Sequence, residues 1–373
     1  MITVLPVTGK KLLKEFIDFP HKLYQDDKNY VPELFIAQRD LLTPGKHPFH
    51  EHSEVKLFLA YQGGQIKGRI AAILNKNHNQ FNNTSDGFFG FFDCEDDPSV
   101  SSKLFEAALE WLKSKNVTKV IGPVNPSTNE PCGLLIKGFD SNPVVMMVYN
   151  KPYYSKLIEN NGFTKKVDLV AYYLYSVKAD DRSVRLHDGL LNRLAQKNIT
   201  IRTINMRDFK NEAVKLREVY NAAWDKNLGF VPMTENEFKY LAKDLKMILD
   251  PQFCLVAEHN GEIVGFALAI PDINQVLKTI KRGRLLPFGI FKLLLGRKKI
   301  NQLRVLALGV VEGYKKMGIE GCFYATFIKK AREKNILGAE ASWILEDNFL
   351  MNKGIQNLNG EAYKAYRLFE KAV

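Results

Sequence analysis

The strongest chemical signal lies late in the chain. Tyr314-Lys315-Lys316-Met317-Gly318-Ile319-Glu320-Gly321 follows an apolar run at 305–311 and opens an amphipathic segment at 319–334, with Phe323, Phe327 and Ile328 directed inward. A helix start presents unpaired N–H groups and the positive end of its dipole, so it binds anions wherever the backbone can be approached closely. Gly318 and Gly321 permit that approach, the N–H of Ile319 lies between them, and Lys315 and Lys316 add charge. The anion such a loop fits is a pyrophosphate. Glu320 is discordant: it is either an ordinary first-turn acid or a repulsive neighbour for phosphate.

Two other clusters carry polar groups. Gly122-Pro123-Val124-Asn125-Pro126-Ser127-Thr128-Asn129-Glu130 follows an apolar strand, and Asn125, Ser127 and Asn129 could hydrogen-bond a polar acceptor; Pro and Asn also make turns. Tyr149 and Tyr153 come shortly after and join the same candidate acceptor site. His47, His50 and His52 lack the spacing of a metal site and read as a polar loop, so no metal is expected. No serine or cysteine triad stands out.

The 373 residues are 46% hydrophobic and 25% charged, a globular composition long enough for two domains. Lys+Arg 53 against Asp+Glu 41 leaves +12, and the stretch 278–299 holds eight cations and no acid. Within it, residues 285–296 are mainly aliphatic and aromatic. Apolar residues rimmed by cations are the composition of a peripheral membrane contact, or of a lid packed over the cleft beside the anion loop or against the first half. The narrow, aliphatic stretch argues against nucleic acid, whose binding modules interleave aromatics and cations over broad faces. Four scattered cysteines suggest neither disulfides nor zinc, and there is no signal-like start and no run of membrane-spanning length. A cytoplasmic protein is expected.

The elements that position these residues occur twice. Ile2-Thr3 recurs as Ile199-Thr200, and residues 60–68 recur as 257–265, both at an offset of 197. Each copy reads as strand, helical segment, hairpin, strand, helix, strand. Ala171-Tyr172-Tyr173-Leu174 then matches Ala365-Tyr366-Arg367-Leu368. The duplication sets domains at 1–176 and 199–373, a linker helix at 177–198, and the basic insertion 278–299 in the second copy.

That order of elements resembles the GNAT superfamily of acyl-CoA-dependent N-acyltransferases, used as a tandem pair over nearly the whole chain. The resemblance implies an α+β or α/β fold of two domains, each a mixed, mostly antiparallel twisted sheet flanked by helices. It also implies acetyl-CoA, or another acyl-CoA, as co-substrate for a small-molecule or peptide amine. Leu308 and Val310 then take the family's place for holding the carbonyl, and Asn348 the place contacting the pantetheine arm. Glu346 is the leading base. The family's tyrosine acid falls on Ile355, so Tyr363 and Tyr366, read as sharing one strand face, are the substitutes. The first copy's loop, Asp93-Cys94-Glu95-Asp96-Asp97, is acidic and lacks glycine, so that half is expected to be degenerate for coenzyme A. Two alternatives stand: a non-catalytic ligand-binding protein on this scaffold, and an acyltransferase acting on a lipid or cell-envelope acceptor at the membrane surface.

Overall fold

The computed structural model describes residues 1–179, 181–224 and 230–373; Asp180, in the expected linker, lies outside the described residues. In chain order the first elements are β1 (Ile2–Pro6), α1 (Gly9–Leu23), α2 (Phe35–Leu41), β2 (Ser53–Gln62), β3 (Gln65–Asn75), α3 (Lys76–Asn82), β4 (Asp86–Cys94), α4 (Pro98–Lys113), β5 (Lys119–Gly122), β6 (Leu134–Lys137), α5 (Tyr154–Asn160) and β7 (Thr164–Tyr175). There follow α6 (Asp181–Ala195), β8 (Ile199–Thr203), α7 (Phe209–Trp224), α8 (Glu235–Ile248), β9 (Cys254–His259), β10 (Glu262–Pro271), α9 (Asn274–Leu277), α10 (Gly289–Gly296), β11 (Gln302–Val310), α11 (Ile319–Glu333), β12 (Gly338–Leu345), α12 (Phe349–Asn357) and β13 (Glu361–Ala372).

Both expected hairpins form, and each turns on a residue pair with positive φ. Gly63 and Gly64 (58° and 74°) join β2 to β3, while Asn260 and Gly261 (51° and 88°) join β9 to β10. Two-residue turns of that hand match the right-handed twist of the flanking strands.

Contacts divide the chain into two compact units. Unit 1 is Met1–Leu169, Asn274–Lys298 and Lys364–Val373; unit 2 is Val170–Ile273 and Lys299–Tyr363. The expected boundaries at 1–176, 177–198 and 199–373 follow the chain, and the units depart from them in three places. In unit 1, β1, β2, β3 and β4 pair antiparallel in that order, β5 lies parallel to β4, and the neighbour of β5 is the end of β13 (Phe369 opposite Gly122). In unit 2, β8, β9, β10 and β11 repeat the antiparallel run and β12 lies parallel to β11; the strand beside β12 is the second half of β7. Each sheet thus takes its closing strand from the other half's sequence.

The second departure is residues 274–298, which belong to unit 1. The third is α6, placed in the linker by sequence. It is part of the core of unit 2: Leu194 is fully buried among Phe253, Leu255 and Phe323, with Leu190 and Leu191 packed beside it.

The core of unit 1 lies between its sheet and α4 and α5. Phe89, Phe105 and Phe163 meet there with ring centres 5.0–5.1 Å apart, and Phe369 of β13 is fully buried in the same cluster. Phe369→Ala is therefore expected to cost about 3–5 kcal/mol, the usual penalty for emptying such a site. Urea titration followed at Trp111 of unit 1 reads it. A cost below about 1 kcal/mol, within the range of surface substitutions, would mean that β13 is no part of that core.

Candidate active site

In unit 2 the parallel ladder between β11 and β12 is short. It joins Gln302 to Gly338, Leu303 to Ala339, Arg304 to Glu340 and Val305 to Ala341, and there it ends. On its other edge β11 stays paired to β10 as far as Val310, with Leu306 as a bulged extra residue between Val305, opposite Ala269, and Ala307, opposite Leu268. A bulge bends its strand. From Leu306 onward β11 therefore leaves β12 behind.

The parity of β11 is fixed by Val311, whose N–H donates to Val264 O at 2.9 Å on the β10 side. Alternate residues of an antiparallel strand point their polar groups to opposite neighbours. Val310 and Leu308 therefore point N–H and C=O away from β10, into the opening, where no strand pairs with them among the described residues. Leu306, Ala307 and Leu308 are half-buried, unlike the central strand of a closed sheet. The opening is a slot lined by main-chain donors and acceptors.

The mouth of the slot is the loop expected to bind pyrophosphate. Gly313, Lys316 and Gly318 take positive φ (91°, 63° and 98°), and Gly318 caps α11 with no side chain accepting from the first-turn N–H groups. Ile319 is fully buried in the core of unit 2, so the half-buried Gly318 and Gly321 on either side of it are the accessible part of this helix start. A Cβ on Gly318 would lie 3.1 Å from Leu190 of α6, so this glycine also allows two helices to pack. Lys315 is paired with Glu312 at 2.9 Å, which halves the free charge that the sequence promised.

The remaining candidates separate. Asn348 is the N-cap of α12, its Oδ1 accepting from Met351 N at 3.2 Å. Glu346 is exposed just beyond β12. Tyr363 and Tyr366 do not share a face, because three residues along a strand is an odd step. Lys364, Tyr366 and Leu368 form the buried face of β13, whereas Tyr363 is half-buried opposite, donates to buried Glu340, and falls in unit 2 while Tyr366 falls in unit 1.

Sequence reasoning missed Tyr324 and Tyr172. Ile355 is buried in a cluster with Tyr172, Ala341 and Ile344, against which Val305, Tyr324 and Met351 pack. Val305 and Ala341 are the last ladder pair, so this cluster sits where the strands fork. The Tyr324 hydroxyl donates to Met351 Sδ at 3.3 Å, and burial, with Glu320 nearby, pushes its pKa up to about 12. Tyr172 reaches Asn352 Oδ1 at 3.0 Å. The available signal for Tyr324 was its place one turn beyond Glu320 on the expected helix.

Unit 1 has the same fork and fills it. The parallel ladder of β4 and β5 covers Asp86–Phe88, but then Val124 N donates to Phe89 O (2.9 Å) and Phe91 N donates to Asn125 Oδ1 (2.6 Å). A Cβ on Gly90 would lie 1.6 Å from Val124 O, so the chain itself occupies the slot. Further along, Cys94 N donates to the Tyr154 hydroxyl (3.1 Å) and the Tyr153 hydroxyl donates to Cys94 O (2.8 Å). Asp97 takes the anion's place at the start of α4, accepting from Ser99 N at 2.8 Å and Val100 N at 3.4 Å. Buried Asp93 accepts from Tyr24 (2.9 Å) and Tyr154 (3.1 Å) and pairs with Arg69 at 2.7 Å.

The other acceptor-site candidates have partners within unit 1: Ser127 Oγ accepts from Asn129 N at 3.2 Å, and Tyr149 donates to the distant Asp27 at 3.1 Å. The three loop histidines also bond locally, to Phe49 N, Leu41 O and Ser53 Oγ. Among the described residues no cluster could hold a metal ion, and no helix is long and apolar enough to cross a membrane.

His21 lies beside this network, 3.0 Å from the Tyr30 hydroxyl. Burial lowers its pKa to about 4, with Asp18 opposing and Arg69, Arg282 and Arg284 assisting. A folded-state value below the unfolded 6.5 means stability is full above pH 6.5 and is lost as pH falls toward about 4. His21→Gln should flatten that decline by up to about 3 kcal/mol in urea titrations across the window. An unchanged slope would show that the imidazole titrates normally.

No family model matches the chain. Two proteins are similar along nearly their full length: the bacterial ceramide synthase of Caulobacter vibrioides, 36% identical over 100% of this chain and 98% of that protein, and protein YghO of Escherichia coli, 37% identical over 98% and 94%. Among solved structures, the tandem GNAT protein from the clavulanic acid biosynthesis pathway superposes with a TM-score of 0.59 at 11% identity, covering 100% of this chain and 98% of that one. That likeness shows the fold: the chain has the fold of a tandem GNAT protein.

The contrast between the two helix starts is testable. Gly318→Asp would put a carboxylate at the start of α11, at a φ of 98° that strains any side chain, so a melting curve accompanies it. Calorimetry with coenzyme A should show at least a tenfold loss of affinity, about 1.4 kcal/mol, and equal affinity would remove this helix start from the site.

Proposed function

The chain belongs to the family of the Caulobacter vibrioides bacterial ceramide synthase and Escherichia coli YghO, and on that premise we propose that it is an acyl-CoA-dependent N-acyltransferase whose acceptor is a long-chain amine. A ceramide is the amide of a fatty acid with a long-chain amino alcohol, so forming one requires an acyl donor and an amine of that class. The observation that carries the proposal is the slot of unit 2, with Leu308 and Val310 aimed into it and the uncapped start of α11 at its mouth. The donor then widens from the acetyl-CoA of the sequence reading to a long-chain acyl-CoA.

In the proposed reaction, the neutral amine attacks the thioester carbonyl, the C–N bond forms, and the C–S bond breaks. Main-chain N–H groups of Leu308 and Val310 stabilise the oxyanion that develops between those events. Glu346, directly or through water, takes the proton that the amine loses. The departing thiolate needs a proton, and Tyr324 supplies it: a phenol with its pKa near 12 stays protonated at neutral pH, and it stands at the fork in place of the tyrosine missing at Ile355.

A second reading, a binding protein without turnover, is favoured by Glu320 in the loop and Ile355 in α12. Release of free thiol from a long-chain acyl-CoA in the presence of a long-chain amine separates the two. Release is expected, and Tyr324→Phe should lower kcat by about a hundredfold with coenzyme A affinity unchanged. No release above background with any long-chain amine would overturn the enzymatic reading.

A further inference from the structure

We infer that α10 and the turn before it form a docking surface for an anionic lipid bilayer. What the docking is for rests on the reading of the acceptor as a long-chain amine, but the evidence for it is independent.

The segment is firmly seated at its base. Gly283 lies so close to Glu33 that an added Cβ would be 1.8 Å from its carbonyl oxygen; the same atom on Gly296 would be 2.7 Å from Val276. Arg284 pairs with both oxygens of Asp18 at 2.7 and 2.8 Å, and its guanidinium lies over the Phe35 ring. Lys292 donates to Thr279 O at 3.0 Å. All these residues belong to unit 1.

Its outer surface is the reverse of a soluble helix. The expected packing of the apolar part holds for Leu285, Ile290 and Leu293, which are half-buried. Leu286 is 80% exposed, Phe288 72%, Phe291 61%, Leu294 56% and Leu295 73%. Residues 288, 291 and 295 stand at helical spacing, so the exposed side chains form one stripe. A contiguous apolar stripe on a soluble surface marks a place where something else binds.

Charge selects the occupant. Lys281 and Arg282 precede the stripe in the chain and Arg297 and Lys298 follow it, all exposed, and no acid occurs from 278 to 299. A second copy of the chain meeting this face about a two-fold axis would set cations against cations. An anionic bilayer instead takes the apolar stripe among its acyl chains and the cations among its headgroups.

Co-sedimentation with phosphatidylglycerol vesicles and with phosphatidylcholine vesicles, without substrates, tests it. The wild type should pellet with the first and much less with the second, and less with the first at ~0.5 M salt, where charges are screened within a few ångströms. The triple variant Phe288→Ser, Phe291→Ser, Leu295→Ser alters only exposed side chains; it should melt like the wild type and lose at least about tenfold in partitioning. Arg297→Glu with Lys298→Glu should lose a similar factor on anionic vesicles alone.

Wild type remaining in the supernatant, or a triple variant that pellets equally, would overturn the inference. So would sedimentation equilibrium showing a wild-type dimer that the triple variant dissociates, which would give the face to a second copy. Calorimetry with coenzyme A keeps the two proposals apart. Unchanged affinity in the triple variant supports a docking surface separate from catalysis, whereas loss of binding would make the segment part of the acyl site and overturn it.

Discussion

A strand inside a sheet has to find a partner for every N–H and C=O, and the point where β11 parts from β12 is where that requirement presses hardest. Each buried main-chain group left without a partner costs about 1–3 kcal/mol. The bulge at Leu306 turns β11 away from a neighbour that could have completed the ladder, so Leu308 and Val310 face an opening where protein partners end. The strain-free resolution is a ligand that brings its own amides. The site follows from this deficit more than from any single side chain.

The copy in unit 1 meets the same requirement with its own residues. Val124, Asn125, Tyr153 and Tyr154 satisfy the backbone of β4, and Asp97 satisfies the start of α4. Duplication thus produced two forks of one geometry, one filled and one open. The acids of the first loop are a finished set of internal contacts: Asp93 anchors Arg69 and two tyrosines, and Glu95 pairs with Lys67 at 3.0 Å. Reviving a cofactor site there would mean dismantling a core.

The exchange of closing strands explains why sequence halves and compact units differ. The terminal strand of each copy carries the same alternation, as the match of Ala171–Leu174 with Ala365–Leu368 already indicated in the sequence. Either strand therefore suits either sheet, and register alone cannot tell them apart. Arg367 pairs with Asp168 at 2.7 Å inside unit 1, a contact between residues 199 apart in sequence.

Much was readable without coordinates. The period-2 and period-3.6 patterns, the two hairpin turns and the glycine-bearing start of α11 are local properties, and local chemistry determined them: the repeated unit and its fold class followed. What the tertiary structure alone decided depends on which distant segments meet. The plugging of one fork by Asn125, the capture of residues 364–373 and 274–298 by unit 1, and the packing of Tyr324 against the cluster that holds Ile355 all join residues separated by tens to hundreds of positions. Periodicity tells a residue which face it occupies, but not whose surface that face will cover.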